Sequence, residues 1–245
     1  MKASALHKKV GSLRSILQRG LNNTYIWTQF SISALNAAKS DDKFLSQKRF
    51  RVPSKTRDKE IERTEDELRS IAEGAVTQEI YFSVFVYAVA QVEAFVGDLL
   101  YELLKFDNRR IQTKVKGIDH TMKVDVSEVL ECSSRDELID KIIKKDLVSL
   151  FYASPALQME YFQAVTGVKL DDEILQKWIE IKATRDIVVH NSGVSNSTYV
   201  RKAGEQARAG EGEILPLDDA YFAEALSVMK SFVGRVSSAI QKDLK

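Results

Sequence analysis

The chain has few of the residues that interrupt helices. Only three prolines and eleven glycines occur among its 245 residues. Proline removes a backbone hydrogen-bond donor, and glycine costs about 1 kcal/mol in a helix interior, so their scarcity leaves long stretches free to be helical. Hydrophobic residues at 44% and charged residues at 29% are ordinary for a folded globular protein. The composition therefore argues against a disordered chain and against a membrane protein.

Cysteine is nearly absent as well. Cys132 is the only one in the sequence, which excludes an intramolecular disulfide and a thiolate zinc cluster and fits a reducing compartment. The N-terminal residues lack a long apolar core followed by a small-residue cleavage site, and no window of about 18 apolar residues stands out. The sequence therefore predicts a cytoplasmic protein with no membrane partner.

Neither sign of charge is in excess. The formal net charge is +1, so an anionic partner has to be bound by a local patch rather than by the whole surface. Cations beside an occasional aromatic ring suit single-stranded RNA, and a solvated surface loop is the alternative interpretation. Two tracts have this composition: Lys48, Arg49, Arg51, Lys55 and Arg57 around Phe50, and Lys105, Arg109, Arg110, Lys114 and Lys116 around Phe106.

Apolar residues at three- and four-residue spacings predict an all-α fold. The strongest pattern runs from Val76 to Leu104, and other patterns predict helices at residues 135–151, 157–165, 172–192 and 218–243. A bundle built around the segments at 76–104, 172–192 and 218–243 hides these apolar faces.

The first quarter of the chain has weaker patterns. Residues 4–38 predict two short helices broken near residues 20–23, and residues 39–57 predict a basic linker interrupted by Pro53. A solvated helix follows at residues 60–71. In the later part of the chain, Asp171 or Asp172 caps one helix and Asp218 or Asp219 caps the last, while Gly193 stands where a C-terminal cap belongs.

Residues 183–200, ATRDIVVHNSGVSNSTYV, carry the candidate chemistry. Asp186 and His190 are four apart and share a helix face, so the carboxylate is placed to orient or charge the imidazole, and the helix C-terminus also favours a cation there. Arg185 lies about 140° around the helix from His190. Two copies meeting across a twofold axis would bring both residue types onto one phosphate. The alternative is a solvated Arg–Asp pair with a histidine that caps the helix.

This segment resembles the Arg-x4-6-His signature of the HEPN superfamily. Arg-Asp-Ile-Val-Val-His-Asn from Arg185, followed by Ser-Gly-Val-Ser-Asn-Ser-Thr-Tyr, is similar to the RiboL-PSP and MAE-type branches. Upstream, the segment around Glu93-Ala-Phe resembles an early helix of the family. The similarity spans about residues 76–243, and residues 1–70 match no family known to us.

The resemblance implies a HEPN-type helical bundle with an N-terminal helical extension, divided into an extension with a basic linker at 1–72 and a HEPN-like domain at 73–245. It implies a metal-independent endoribonuclease that needs no cofactor and acts as a homodimer with a composite active site. In such proteins the ribose 2′-hydroxyl attacks the neighbouring phosphate. A toxin or an antiviral defence effector is the expected role, with an antitoxin or regulatory protein as a possible partner.

Carried over residue by residue, the resemblance makes His190 the proton-transfer group and Arg185 the group that stabilises charge on the phosphate. Asp186 and Asn191 support the site, and Glu93 is a further supporting carboxylate unless it is merely solvated. The expected RNA contacts are Tyr199, Arg201, Lys202, Arg109 and Arg110.

A non-catalytic HEPN module that binds RNA or a protein is the main alternative function. A third possibility is the branch in which a tyrosine two residues after the histidine is modified by a nucleotidyltransferase, and Ser192 at that position counts against it. Other enzyme classes have less support, because the sequence has no phosphate-binding glycine-rich loop, no HExxH and no GxSxG.

Overall fold

The structure, a computed structural model, describes residues 2–47, 63–120 and 123–244. Within these ranges the only β contact is one isolated bridge between Val194 and Ile214, so the expected all-α class is confirmed. The helices are α1 Ala3–Lys39, α2 Asp42–Ser46, α3 Glu65–Gly74, α4 Ile80–Phe106, α5 Val126–Glu131, α6 Arg135–Tyr152, α7 Pro155–Thr166, α8 Asp172–Asn191, α9 Ser197–Ala203 and α10 Asp219–Asp243. The basic tract around Phe50, Pro53 and the first residues of the predicted helix at 60–71 lie outside the described residues.

The N-terminal segment is one helix of 37 residues, so the prediction of two short helices was wrong. Gly20 does not break α1, because the helix packs closely there: a Cβ at this position would lie 2.5 Å from Oε1 of Gln91 on α4. Leu17 and Leu21 on either side of it are buried. Burial of such side chains contributes about 1.5 to 3 kcal/mol each, which outweighs the cost of about 1 kcal/mol for a helical glycine.

The predicted helix at 76–104 is confirmed, with a different start. Thr64 caps α3 through a capping box with Glu67, and one π-helical turn, Ala75–Glu79, joins α3 to α4 without a loop. Twelve residues of α4 are buried, including Phe85, Val92 and Leu99. The 3.6-residue period predicted this helix because its apolar residues recur on the faces that pack against neighbouring helices.

The core lies around α4, which packs against α1, α6, α7, α8 and α10. Leu6, Val10, Leu17 and Leu21 of α1 belong to the same apolar cluster as the helices after residue 72. One core therefore crosses the boundary that we placed at residue 72.

One stretch, Glu65–Phe106, is long and apolar enough to cross a membrane by length and composition, with an 18-residue window of mean hydropathy 1.6. The expectation that no such window exists was therefore wrong. In this structure 44% of that window is buried against the other helices.

The three helices of the predicted bundle run alternately up and down. Gly193 lies against Phe82 and Lys182 contacts Glu93, so α8 is antiparallel to α4. Lys177 of α8 pairs with Glu224 of α10. Asp218 caps α10 as expected, whereas Asp171 stands at the start of α8 without a capping hydrogen bond and pairs with Arg235 instead. This arrangement places the last two turns of α8 beside the middle of α4, where the candidate residues lie.

Candidate functional site

An open pocket lies beside the C-terminal half of α8. Its volume is about 290 Å³ and it lies between α8 and α9. We call it the α8 pocket and define it by its lining residues: Ala183, Asp186, Ile187, His190, Asn191, Asn196, Thr198, Tyr199 and Lys202. The structure brings five of the expected site residues to one cavity: Asp186, His190, Asn191, Tyr199 and Lys202.

The C-terminus of α8 presents His190 to this cavity. Ser192 takes the left-handed conformation of a helix cap, with φ of 51°, and Gly193 follows with φ of 82°. The Gly193 amide donates to the Ile187 carbonyl at 3.2 Å, and a Cβ at Gly193 would lie 2.5 Å from Phe82 Cζ. The cap predicted at Gly193 is therefore one residue earlier, while Gly193 is required both by its conformation and by the close packing of Phe82.

The Asn191 side chain supports the turn after the helix. Its amide donates to the Val194 carbonyl, and it also lines the α8 pocket. Asn196 then caps α9 by accepting from the Tyr199 amide at 3.0 Å. Both asparagines are fixed by backbone contacts, so the pocket wall between α8 and α9 is preorganised.

Arg185 lies on the other side of Asp186, outside the pocket lining. Its Nη2 donates to both oxygens of Glu93 at 2.8 and 2.9 Å, and its Nη1 donates to Asp186 Oδ1 at 3.0 Å. Glu93 is therefore a partner of Arg185, not a solvated surface carboxylate. The side chain of Arg185 is 25% exposed, so one edge of the guanidinium still reaches solvent.

A buried lysine shares the same carboxylate. Lys182 Nζ lies 2.7 Å from Glu93 Oε1 and also donates to Gln158 on α7, and burial lowers the pKa of Lys182 from its ordinary value. At the other end, Lys202 Nζ donates to Asp186 Oδ2 at 3.1 Å. We call Lys182, Glu93, Arg185, Asp186 and Lys202 the Glu93 cluster. With Lys182 protonated, its three cations and two carboxylates leave one positive charge, which favours an anion beside it.

The predicted pairing of Asp186 with His190 is not present. The Asp186 carboxylate is occupied by Arg185 and Lys202, and among the described residues no hydrogen bond or ion pair involves the His190 side chain. His190 is exposed. The four-residue spacing puts Asp186 and His190 on one face of α8, but the Asp186 carboxylate pairs with Arg185 and Lys202 instead. The imidazole is left available to a ligand.

Tyr199 does not fit its expected role as an RNA contact. It is 1% exposed, and its hydroxyl donates to Glu180 Oε1 at 2.9 Å and accepts from the Arg208 amide at 3.1 Å. An aromatic ring held in this way cannot stack on a base. Arg201 on the same short helix is exposed, and Lys202 lies in the pocket wall.

Arg109 and Arg110 lie far from the α8 pocket. They lie in a 3-10 turn that follows the end of α4 at Phe106. Glu93 is 13 residues before Phe106, which is about 20 Å along the helix axis. Since α8 runs antiparallel to α4, His190 lies in the opposite direction from this turn. Both arginines pair with Asp107, and Arg110 Nη1 also donates to the Val165 carbonyl at 2.6 Å. Arg109 and Arg110 are therefore not part of the α8 pocket, and their contact with RNA stays a prediction.

Sequence reasoning missed Lys182, Gln158, Asn196 and Thr198. Lys182 is three residues before Arg185, so the helical period puts both on the face towards α4, and this signal was available. Gln158 gave no signal, because its contact depends on how α7 meets α8. Among the described residues there is no group of three or more His, Cys, Asp or Glu side chains placed to hold a metal ion.

No family model, no curated protein and no solved structure matches this chain.

Proposed function

We propose that this protein is a metal-independent endoribonuclease of the HEPN type, which cleaves single-stranded RNA as a homodimer. The observation that supports it is the α8 pocket, where an exposed histidine, without a partner in the described part of the chain, lies beside a cluster of net positive charge. Imidazole moves protons near neutral pH, and guanidinium and ammonium groups stabilise charge that develops on a phosphate. These are the two requirements for cleaving a ribose phosphodiester.

In the proposed reaction, His190 accepts the proton of the 2′-hydroxyl as its oxygen attacks the phosphorus. The bond from phosphorus to the 5′ oxygen breaks, and that oxygen receives a proton from His190 of the partner subunit. The products are a 2′,3′-cyclic phosphate and a 5′-hydroxyl. Arg185 and Lys202 stabilise the charge on the non-bridging oxygens, and Asn191 holds the pocket wall in place.

A dimer is part of the proposal because one chain keeps Arg185 and His190 on different sides of Asp186. The surface beside them is apolar: Val189 is 49% exposed and Tyr87 is 54% exposed, and Ala90 and Ala94 continue the exposed stripe of α4. Small side chains allow another helix to approach closely. A second copy placed on this stripe by a twofold axis would bring two arginines and two histidines together.

The contacts of Arg185 also favour a second candidate, a non-catalytic HEPN module that binds RNA or a protein. Two carboxylates already hold the guanidinium, so an RNA phosphate would have to share it with Glu93 and Asp186. In either case we propose a cytoplasmic protein, acting as a toxin or an antiviral defence effector, with an antitoxin or another regulatory protein as a further partner.

The test of the proposed function is cleavage of single-stranded RNA by the purified protein in EDTA. We expect the wild type to cleave, and His190→Ala to lower the rate by about 10² to 10⁴, the usual contribution of a proton-transfer group. His7→Ala is the matched control, because it removes the same type of side chain from α1, far from the α8 pocket. Equal rates for the two variants would contradict the catalytic proposal, and RNA binding without cleavage by the wild type would favour the second candidate.

The dimer has a separate test. We expect light scattering to give twice the chain mass, and Ala94→Glu to give a monomer that no longer cleaves RNA. Ala34→Glu places the same charge on an exposed position of α1 and should leave both mass and activity unchanged. A monomeric wild type that cleaves RNA would contradict the composite site.

A further inference from the structure

The surface formed by α1 and the second half of α10 is strongly basic. Helix α1 contains five lysines and arginines over 37 residues and no acidic residue at all. On α10, no acidic residue occurs between Glu224 and Asp243, while Lys230, Arg235 and Lys242 fall inside that interval. Lys9 and Lys39, near the two ends of α1, pair with Glu102 and Glu73. The cations of this surface that have no carboxylate partner among the described residues include Arg14, Arg19 and Lys230.

A groove runs between these two helices. The helices are antiparallel, since Arg14 Nη1 donates to Ser238 Oγ at 3.0 Å and Lys230 Nζ donates to Asn22 Oδ1 at 3.1 Å. Gly234 lies between those contacts, opposite Gln18, and its missing side chain lowers the floor. The resulting cavity has a volume of about 470 Å³. From Arg14 to the level of Lys230 is eight residues of α1, about 12 Å along the groove.

The lining of this α1–α10 groove consists of cations and neutral hydrogen-bond donors. Besides Arg14 and Lys230 it contains Gln18, Gly234, Arg235 and three serines, Ser227, Ser231 and Ser238. Arg14 and Lys230 are hydrogen-bonded only to neutral oxygens among the described residues, so neither charge is neutralised by a carboxylate. Arg235 pairs with Asp171 at the far end. Arginine, lysine, serine and glutamine are the side chains that contact phosphate oxygens in nucleic-acid complexes.

We propose that the α1–α10 groove binds the phosphodiester backbone of a single-stranded nucleic acid. No apolar side chain lines the groove, which argues against an amphipathic peptide bound in it. The exposed apolar side chains of α1, Ile16, Ile26, Trp27 and Phe30, are not part of this lining, and the vesicle measurement below tests a membrane surface. No aromatic ring lines it, so bases have nothing to stack on, and the binding is independent of sequence. The groove shares no residue with the α8 pocket, so this inference stands apart from the catalytic proposal.

The experiment measures binding of a fluorescein-labelled 20-nucleotide RNA, in the His190→Ala background so that cleavage does not interfere. We expect Arg14→Gln/Lys230→Gln to weaken binding about tenfold at low salt. The slope of log affinity against log salt should fall by about 1.4, that is about 0.7 for each lost contact with a single-stranded phosphate. Arg14→Lys/Lys230→Arg, which keeps both charges, should restore most of the affinity.

Arg135→Gln/Lys145→Gln is the matched control. It removes one arginine and one lysine from exposed positions of α6, which lies away from the groove, and we expect affinity and slope close to those of the His190→Ala parent. Equal losses in the two double variants would overturn the proposal, because only overall charge would then matter. Unchanged RNA binding with weakened binding to phosphatidylserine vesicles would also overturn it, in favour of a lipid surface. The result does not depend on whether the wild type cleaves RNA.

Discussion

Helix α8 carries two polar clusters only a few residues apart, and they differ in how completely they are satisfied. In the first, Glu180 is 4% exposed and accepts from Tyr199, Arg208, Thr184 and Tyr221. We call these five residues the Glu180 cluster. The Glu93 cluster is the second. It starts two residues later with buried Lys182 and leads to a half-open arginine and the exposed His190.

The two clusters show what separates a structural network from a candidate site. Four donors use the Glu180 carboxylate, and the Arg208 guanidinium lies 3.4 Å from the centre of the Tyr221 ring, so the charged groups of this cluster are satisfied by one another. A cavity of about 190 Å³ lies beside Glu180, Arg208 and Tyr221. The Glu180 cluster ties the loop after α9 to α8 and α10. Towards the C-terminus of α8 the charges of the Glu93 cluster are also paired, but the exposed imidazole of His190 lines the α8 pocket and has no partner among the described residues.

The histidines repeat this contrast. His120 is 6% exposed, its Nδ1 lies 3.0 Å from Asp146 Oδ1, and its Nε2 accepts from the Val115 amide at 3.0 Å. Tyr161 donates to the same aspartate at 3.0 Å. The Val115 amide fixes the tautomer, with the proton on Nδ1, so this His–Asp pair cannot exchange a proton with a substrate. A histidine beside a carboxylate is thus structural at Asp146, while the histidine without one is the candidate at the pocket.

The largest expected effect is on the Glu180 cluster. Glu180→Ala should lower the free energy of unfolding by about 3 to 5 kcal/mol, because it removes a carboxylate that is 4% exposed and is the common acceptor of Tyr199, Tyr221, Thr184 and Arg208. Urea denaturation measures this loss. Glu93→Ala is the comparison, and its loss should be smaller, because Arg185 keeps Asp186, and Lys182, whose pKa burial already lowers, keeps Gln158 and can lose its proton. A smaller loss at Glu180 than at Glu93 would contradict the distinction between the two clusters.

The two histidines should separate stability from activity. We expect His120→Ala to cost about 2 to 4 kcal/mol in unfolding free energy, through a cavity and the loss of one hydrogen bond to the buried Asp146 carboxylate. His190→Ala should change stability by less than about 0.5 kcal/mol, as for an exposed side chain without partners. Thermal and urea unfolding of both variants check this. A strongly destabilised His190→Ala protein would mean that His190 has a structural role.

Alkaline pH should act on the buried clusters. Burial raises the pKa of Tyr221 well above its usual value of 10.0, and burial also raises the pKa of Tyr199. Above pH 10 the unfolded chain loses these protons while the folded protein keeps them, so the free energy of unfolding falls as pH rises, by roughly 1 kcal/mol per pH unit for each tyrosine. The lowered pKa of Lys182 has the opposite sign, and its effect ends near the ordinary lysine value of 10.5.

Two phenylalanine variants isolate that slope in urea titrations from pH 10.5 to 11.5. Tyr221→Phe should make the loss of stability with pH less steep. Tyr152→Phe should leave it unchanged, because Tyr152 is 88% exposed. The same slope in both variants would show that the buried hydroxyls are not responsible.

The smallest expected loss of stability is at Tyr199, which belongs to the Glu180 cluster and also lines the α8 pocket. Tyr199→Phe removes a hydroxyl that donates to Glu180, and we expect a loss of about 1 kcal/mol in unfolding free energy. The affinity for RNA should be unchanged, since the ring is buried. If Tyr199→Phe binds RNA more weakly while its stability is near normal, Tyr199 contacts RNA after all.

Much of the fold followed from periodicity, because α4, α8 and α10 bury their apolar residues on faces that a 3.6-residue period identifies. Helix α1 was misjudged at Gly20, where packing against Gln91 outweighs local propensity. At the site, the sequence indicated the right segment but not its contacts. Spacing along α8 suggested Asp186 as the partner of His190, and the tertiary fold gave that carboxylate to Arg185 and Lys202 instead. The partner of each α8 side chain depends on which side chains of α4, α7 and α9 pack against it, and no local sequence pattern predicts that packing.

The ends of the RNA fragments test the central claim most directly. After incubation of single-stranded RNA with the purified protein in EDTA, mass spectrometry identifies the group on each side of the cut. We expect 2′,3′-cyclic phosphates and 5′-hydroxyls that disappear with His190→Ala. Fragments with 5′-phosphates and 3′-hydroxyls, or cyclic phosphates that persist in the His190→Ala variant, would contradict the assignment of catalysis to the open end of α8.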